Sequence, residues 1–509
     1  MAKVVASARQ EEDSTPFLQP QLHITTSSET KKKVLFMTSE MADLVKVGGL
    51  GDVSASLPRA LACYHDIRLL IPGYRQVMES GHPVKVVGTV YSHSALPHCK
   101  LGRIDLPDGL IVYVIICPAL YERDGYPYGD NAGQDWPDNH IRFAMLGHVA
   151  AEIAAQRSSI SWTPQLIHAN DWPCGLVPAY LSWRGLETPT VFTIHNARYQ
   201  GLFSPATVRQ LGFPLHDFDL SRVALGGDVS FLKAGVCYGS HITTVSRRYA
   251  QDLTASFEGH GLESVLGEKA AKGQLSGILN GIDSSWDPLT DHCLEQGFQH
   301  SMAAGKAANR RHVRQHFGLF EEGPLFAVVS RLVHQKGIDL TVEAAGHIVA
   351  AGGSLVIFGQ GEPALEAAVR SLQECYPGRV AAQVGFNDAD ARRIFAGSDF
   401  LLMPSRFEPC GLSQLYAQRY ACLPVARCTG GLADTIEDGI NGFLFDHLSL
   451  TSYLTAIQRA LATYCQPGLF QTMRQKAMTS PCYWQQSVQP YEHLYRQLTG
   501  GCTASAISA

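Results

Sequence analysis

Phe400-Leu401-Leu402-Met403-Pro404-Ser405-Arg406-Phe407-Glu408-Pro409-Cys410-Gly411-Leu412 reads as a short strand running into a loop. Four apolar residues closed by a proline fit a strand covered on both faces, the kind found in α/β folds. Open α/β sheets bind ligands outside the carboxyl ends of their strands, so Ser405 to Pro409 stands where a ligand is expected. Thr429-Gly430-Gly431-Leu432-Ala433-Asp434 follows as a glycine-rich turn opening a helix. Backbone N–H groups at a helix N-terminus favour a phosphate. One carboxylate, Glu408, beside one anion cradle suggests a nucleotide-sugar site; the competing reading is that these prolines and glycines only make turns.

Outward from this loop the same grammar repeats. β-Branched runs at Ile67 to Ile71, Ile111 to Ile116 and Thr190 to Ile194 alternate with helical patterns. After a polar stretch at about Asp291 to Arg311 the alternation restarts, with strands at Leu325 to Ser330, Ser354 to Phe358, Val380 to Gly385 and Leu423 to Ala426. Strand and helix in alternation imply parallel sheets covered on both faces, and the restart places a domain boundary near residue 290. Two doubly wound, Rossmann-like α/β domains are therefore expected, residues 33–290 and 291–486, followed by a C-terminal helix and tail at 487–509. Residues 1–32 carry Glu11-Glu12-Asp13 and Thr25-Thr26-Ser27-Ser28 with no apolar period, which reads as a disordered extension; a transit peptide is the rival, opposed by the acidic trio.

Composition narrows the function classes. The 509 residues are 45% hydrophobic and 17% charged, enough for two or three domains with substantial cores. A formal net charge of −5 lacks the basic excess of nucleic-acid binders, so an anionic substrate must be held by local cations. No apolar run reaches the roughly 18 residues of a membrane span. Thirteen cysteines without a C-x-x-C argue against a disulfide framework and a zinc site, and read as reduced thiols in a cytosol-like compartment.

Near the other end, the strand Val34 to Ser39 leads into Lys46-Val47-Gly48-Gly49-Leu50-Gly51-Asp52-Val53, a glycine loop carrying a cation into a helix. Together with Ser330-Arg331-Leu332-Val333-His334-Gln335-Lys336-Gly337, His168-Ala169-Asn170-Asp171-Trp172, Thr193-Ile194-His195-Asn196, Phe231-Leu232-Lys233-Ala234-Gly235, Thr243-Thr244-Val245-Ser246 and Gly277 to Asp283, it resembles the bacterial glycogen synthase and plant starch synthase family over roughly residues 33 to 497. The resemblance implies the GT-B arrangement: two domains face a cleft, the first on the acceptor side and the second on the nucleotide-sugar side, and the C-terminal helix crosses back to the first. It implies a retaining glucosyltransferase that moves glucose from ADP-glucose to the non-reducing end of an α-1,4-glucan, with no cofactor and no metal. The alternatives are a small-sugar glucosyltransferase and a glucan-binding protein without turnover.

Cleaving a glycosyl–diphosphate bond needs fixed cations at the departing phosphate and an electron-rich group near the anomeric carbon. By resemblance, Arg331 and Lys336 hold the diphosphate, Lys46 with Gly48 and Gly49 approaches from the opposite domain on closure, and Glu408 sits by the glucose, with Cys410, Gly411 and Leu412 also binding substrate. Thr429, Gly430 and Gly431 line the same pocket. His195 and Asn196 follow a strand end near the sugar, and Tyr128 resembles a tyrosine that reaches the substrate on closure. Phe386 either stacks on the nucleobase or packs in the core. Asp52 either hydrogen-bonds the glucose or caps its helix. Asp171 is either a second carboxylate for a double displacement or a helix N-cap; without a paired acid and base, front-side attack is favoured.

Tyr416 stands where a larger group of related glycosyltransferases places a second Glu, a difference that separates glycogen and starch synthases from that group. Within the family pattern itself, Ala197-Arg198-Tyr199 replaces a more apolar triplet, and Arg247-Arg248 replaces Pro-Thr. Two further motifs invite other readings. Asp388-Ala389-Asp390 has metal-binding D-x-D spacing but lies where a helix begins. Gly359-Gln360-Gly361-Glu362-Pro363-Ala364 matches a dinucleotide fingerprint, which would imply an NAD-dependent oxidoreductase and leave Glu408, Arg331 and Lys336 unexplained.

Overall fold

The computed structural model describes residues 31–213, 220–255, 257–299, 303–320, 322–481 and 483–500. The extension expected over residues 1–32 therefore falls, but for its last two residues, outside the described chain. From Lys32 onward the chain forms one compact unit with, among the described residues, two large β-sheets and a small three-stranded one, Leu202–Phe203, Asp228–Ser230 and Ala224–Leu225.

The first sheet has nine strands in the order Leu275–Gly277, His241–Thr244, Thr190–Ile194, Leu166–Asn170, Lys33–Met37, Asp66–Pro72, Ile111–Ile116, Cys99–Asp105 and Lys85–Val90. Its central strands are almost wholly buried, as continuous runs such as Val34 to Met37 require when helices cover both faces. Cys99–Asp105 pairs antiparallel with both neighbours, a departure from the all-parallel expectation. The six-strand second sheet runs Val380–Val384, Ser354–Gly359, Leu325–Val329, Phe400–Met403, Leu423–Arg427 and Phe443–Phe445, all parallel. Ile282 and Trp286 already pack in a core of this second sheet.

Chain order along the second sheet reverses between Leu325–Val329 and Phe400–Met403, and along the first between Lys33–Met37 and Leu166–Asn170. These are the switch points at which doubly wound sheets leave a crevice. The C-terminal helix, Trp484–Thr499, buries Trp484, Val488, Tyr491, Leu494 and Tyr495 in the core of the first sheet. That spacing places one apolar stripe along a helix, and each such side chain contributes about 1.5–3 kcal/mol when fully buried. Tyr495 adds a hydrogen bond with His168 Nδ1, 2.5 Å, which ties the end of the chain to the strand leading to Asp171.

Candidate active site

On the second sheet the two switch-point loops are held together by backbone. Gly337 has φ 69°, and a Cβ there would lie 2.1 Å from Pro404 O, so only glycine lets the loop after Leu325–Val329 meet the loop after Phe400–Met403. Arg406 N donates to Gln335 O at 2.8 Å. The result brings Lys336 Nζ to 2.6 Å from Glu408 Oε2, and Ser405 Oγ donates to the same oxygen at 3.0 Å. Glu408 is 5% exposed. A carboxylate so enclosed needs such a partner and such a hydrogen bond to offset its lost hydration. Arg331 is exposed, and its Nη1 donates to Tyr199 OH across the cleft at 3.4 Å.

The glycine turn expected to cradle an anion also has a structural part. Gly431 N donates to Glu408 O at 3.0 Å, and Leu432 N to Thr429 O at 3.1 Å. Gly430 has φ 44°, and a Cβ on it would stand 2.0 Å from Glu408 O; one on Gly431 would stand 2.1 Å from Cys410 O. Thr429, Gly430 and Gly431 thus clamp the backbone of Glu408 and Cys410. Gly411 (φ 71°) and buried Cys410 continue that loop, and Leu412 reaches Gly49 of the other lobe, 3.7 Å from where its Cβ would be.

On the first sheet the loop after Lys33–Met37 is organised by Glu40, which the sequence reading passed over. Its Oε2 accepts from Val47 N at 2.7 Å and Gly48 N at 2.8 Å, and its Oε1 accepts from Tyr128 OH at 2.5 Å. The Gly48 amide expected to face a phosphate is therefore engaged inside the lobe. Tyr128 also bonds Ser39 Oγ at 2.9 Å, and burial beside Glu40 pushes its phenol well above the ordinary range. A carboxylate six residues before Lys46, in the same loop, was the signal that could have singled out Glu40.

Lys46 Nζ lies 2.7 Å from Asp52 Oδ1 and 5.3 Å from the centre of the Phe386 ring. Asp52 does not cap its helix: the N-cap of Gly49–Ala62 is Gly48, and Asp52 sits in the first turn. Burial raises its pKa, opposed by Lys46. Phe386 is 63% exposed, which removes the core-packing reading. Tyr416 stacks on Trp286 with ring centres 3.6 Å apart and, with Asp52 and Leu412, lines a small cavity between the lobes.

Asp171 and His195 end adjacent strands of the first sheet. Asp171 has φ 59°, a left-handed conformation that costs a non-glycine residue, and strain of this kind clusters at functional sites. Burial pushes its carboxyl up to about 8 against backbone hydrogen bonds from Trp172, His195 and Asn196, so it is largely protonated at neutral pH. It occupies the N-cap position of the turn Trp172–Cys174 without a side-chain capping bond. Burial lowers His195 to about 3, leaving a neutral imidazole. Asn170 Nδ2 donates to Met37 O at 3.0 Å, so Asn170 Oδ1 can only accept, and His195 Nε2, 3.0 Å away, carries the ring proton. Nδ1 is left as the acceptor. Asn196 Oδ1 accepts from Arg198 N at 3.1 Å and shapes the turn.

The lobes meet directly at this site. Ser246 Oγ donates to Pro409 O at 2.5 Å, Arg248 N to Asp434 Oδ2 at 2.9 Å, and the Arg198 guanidinium lies 5.8 Å from the centre of the Phe407 ring. Two of the departures from the family pattern, Arg198 and Arg248, therefore sit on the contact between lobes. Asp388 and Asp390 begin a helix capped by Asn387, and each faces an arginine, Arg392 and Arg393, at 3.1 Å. The fingerprint glycines serve packing: a Cβ on Gly359 would lie 1.8 Å from Ser330 O, and one on Gly361 2.2 Å from Leu332 O.

Residues 33–268 match the family described as "Starch synthase catalytic domain", and residues 323–463 match "Glycosyl transferases group 1". A glycogen synthase of Pseudomonas fluorescens is 56% identical over 486 residues, 95% of this chain and 93% of the relative. One from Pseudomonas putida is 58% identical over 469 residues, 92% of this chain and 90% of the relative. Among solved structures, the catalytic domain of starch synthase IV from Arabidopsis thaliana, bound to ADP and acarbose, superposes with a TM-score of 0.81 at 29% identity, covering 92% of this chain and all of that one.

Proposed function

Since the chain belongs to the glycogen synthase family, we propose that it transfers glucose from ADP-glucose to the non-reducing end of an α-1,4-glucan with retention of configuration. The observation that carries the reading is the Lys336–Glu408–Ser405 cluster at the switch point of the second sheet, in a chain whose first sheet carries Lys46 and Asp171 after the two strands of its own switch point. The first lobe is the acceptor side and the second the nucleotide-sugar side. ADP rather than UDP as the carrier is supported by the ADP bound to the Arabidopsis starch synthase domain.

In the transfer, the bond from the anomeric carbon to the β-phosphate oxygen breaks and its electron pair leaves with the diphosphate. The glucan 4-hydroxyl attacks from the same face, and its proton passes to the departing phosphate oxygen. Arg331 and Lys336 neutralise the charge that builds on that oxygen, with Lys46 adding to it from the other lobe. Glu408, the carboxylate of the cluster, stabilises the positive charge on the sugar. A protonated Asp171 is a poor nucleophile, which favours front-side attack over a covalent intermediate. Neutral His195 offers Nδ1 as an acceptor to a glucose hydroxyl, with its orientation fixed by Asn170.

Eleven cysteines among the described residues are free thiols, which fits a reducing, cytoplasmic compartment. No helix among the described residues is long and apolar enough to cross a membrane. The reading is tested by release of ADP against UDP from the two glucose donors, with and without glycogen, for the wild type and Glu408→Ala. Glycogen-dependent ADP release that collapses in the variant is expected; release indifferent to glycogen would overturn the acceptor, and an unaffected variant the catalytic assignment.

A further inference from the structure

Phe407 stands immediately before Glu408 in the loop after Phe400–Met403, and two side chains of the first lobe meet its ring. The Arg198 guanidinium lies 5.8 Å from the ring centre, and the His260 ring lies 6.3 Å away, edge to face. Phe407 is buried and Arg198 exposed. Arg198 has no carboxylate partner among the described residues, so no opposite charge draws the guanidinium off the ring. His260 has φ 49°, a left-handed backbone that a non-glycine residue keeps only where its surroundings hold it.

A second route joins the same two segments. Ala197 N donates to Tyr249 OH at 2.9 Å, Tyr249 N to Ser246 Oγ at 3.2 Å, and Ser246 Oγ to Pro409 O at 2.5 Å. Ser246 and Tyr249 are both buried. The turn that follows His195 is thus bonded, through two buried side chains, to the residue after Glu408, while Arg198 of the same turn rests on the residue before it. The first lobe therefore grips Glu408 on both flanks. The two grips differ in kind: the hydrogen-bonded one begins at a backbone amide, which any residue supplies, whereas the cation belongs to the triplet in which this chain departs from the family pattern.

We propose that Arg198 is a positioning residue for the glucosyl transfer proposed above, on which this inference rests: by holding Phe407 against the first lobe it fixes where Glu408 stands relative to that lobe. A guanidinium over an aromatic face attracts only while the two are in contact, so the pair favours the arrangement with the lobes together and is lost when they part. Arg198 acts on the loop and not on the donor, so its effect falls on the rate of the chemical step more than on donor binding.

The test compares the wild type with Arg198→Ala, Arg198→Lys, Phe407→Leu, the double variant Arg198→Ala/Phe407→Leu and Arg248→Ala. Three quantities are read: glycogen-dependent ADP release, thermal melting, and amide hydrogen exchange across residues 405–412. Arg248→Ala controls for the loss of a nearby cation, since its guanidinium pairs with Asp252 on its own helix at 2.9 Å and its bond to the second lobe uses backbone N. Arg198→Ala is expected to lower kcat about three- to tenfold, the worth of one cation–aromatic contact, with KM for ADP-glucose within about twofold, melting unchanged and exchange over 405–412 faster. Arg198→Lys should restore most of the rate, Arg248→Ala should stay within about twofold of wild type, and the double variant should be no slower than Phe407→Leu alone. The proposal is overturned by wild-type kcat and exchange in Arg198→Ala, by an Arg198→Ala loss repeated in full in the Phe407→Leu background, or by an equal loss in Arg248→Ala. A wild type that releases no ADP from ADP-glucose refutes the glucosyl transfer instead; faster exchange in Arg198→Ala then still supports the hold of Arg198 on the loop, and unchanged exchange overturns it.

Discussion

Glu408→Gln removes a charge while keeping a shape, and so separates what the carboxylate does for the fold from what it does for the reaction. Lys336 and Glu408 stand 2.6 Å apart with side chains 17% and 6% exposed. At an effective dielectric of about 20, two unit charges at that distance attract by about 6 kcal/mol, an upper bound before desolvation. Truncating one member of such a buried pair costs about 3–5 kcal/mol. Glutamine still offers an amide oxygen to Lys336 and Ser405, so its stability loss should be smaller, about 1–2 kcal/mol. Alanine forfeits both contacts and should approach the larger figure. For turnover, removing one preorganised electrostatic group lowers kcat about 10²–10³-fold, equivalent to about 3–4 kcal/mol. The assay is glycogen-dependent ADP release beside thermal melting of the same samples. Folded Glu408→Gln with kcat within tenfold of wild type, or with only KM raised, would refute the claim that this charge acts on the transition state.

Gly430→Ala should both destabilise the protein by about 2 kcal/mol or more and cut activity, because φ 44° and a Cβ 2.0 Å from Glu408 O force the catalytic loop to move; a variant with unchanged melting and kcat would disprove the clamp. Asp171→Asn should stabilise the protein increasingly as pH rises from about 4 to 8: the folded carboxyl, pushed up to about 8, keeps a proton that the unfolded chain has already released, so wild-type stability falls across that window. Denaturant melts at the two ends of the window check the sign. Tyr495→Phe should cost about 1–2 kcal/mol by orphaning His168 Nδ1, with specific activity of the folded enzyme preserved; loss of activity without loss of stability would instead make Tyr495 part of the site.

Legibility in the sequence followed burial. Strands flanked by helices on both faces, such as Phe400–Met403 and Ile111–Ile116, carry unbroken apolar runs because both faces must be filled, and their limits were read to within a residue or so. Lys85–Val90 is an edge strand whose first two residues are exposed; partial burial relaxes the apolar pattern that would announce it, and nothing local records that Cys99–Asp105 would pair antiparallel. The site residues were legible as types at strand ends. Their partners were not, because Lys336 and Glu408 are 72 positions apart and Tyr128 and Glu40 are 88. Pairings of that kind are set by sheet order, which no short window of sequence contains.

Sheet order also changes what the glycines mean. Read locally, Gly48 and Gly431 are amides on offer to a phosphate; in the fold, Gly48 N is bound to Glu40 and Gly431 N to Glu408 O. The side chains proposed to compensate the donor's charge are not equivalent either. Lys46 and Lys336 already face Asp52 and Glu408, whereas Arg331 has no carboxylate partner among the described residues, only Tyr199 OH. An arriving diphosphate meets least competition at Arg331. At Lys336 it must share the ammonium with Glu408, and each increment of charge that Lys336 gives to the phosphate leaves Glu408 less neutralised and a better partner for the positive charge growing on the sugar. On the proposed reaction, the ion pair that steadies the loop would also bring leaving-group departure and anomeric-charge stabilisation into step.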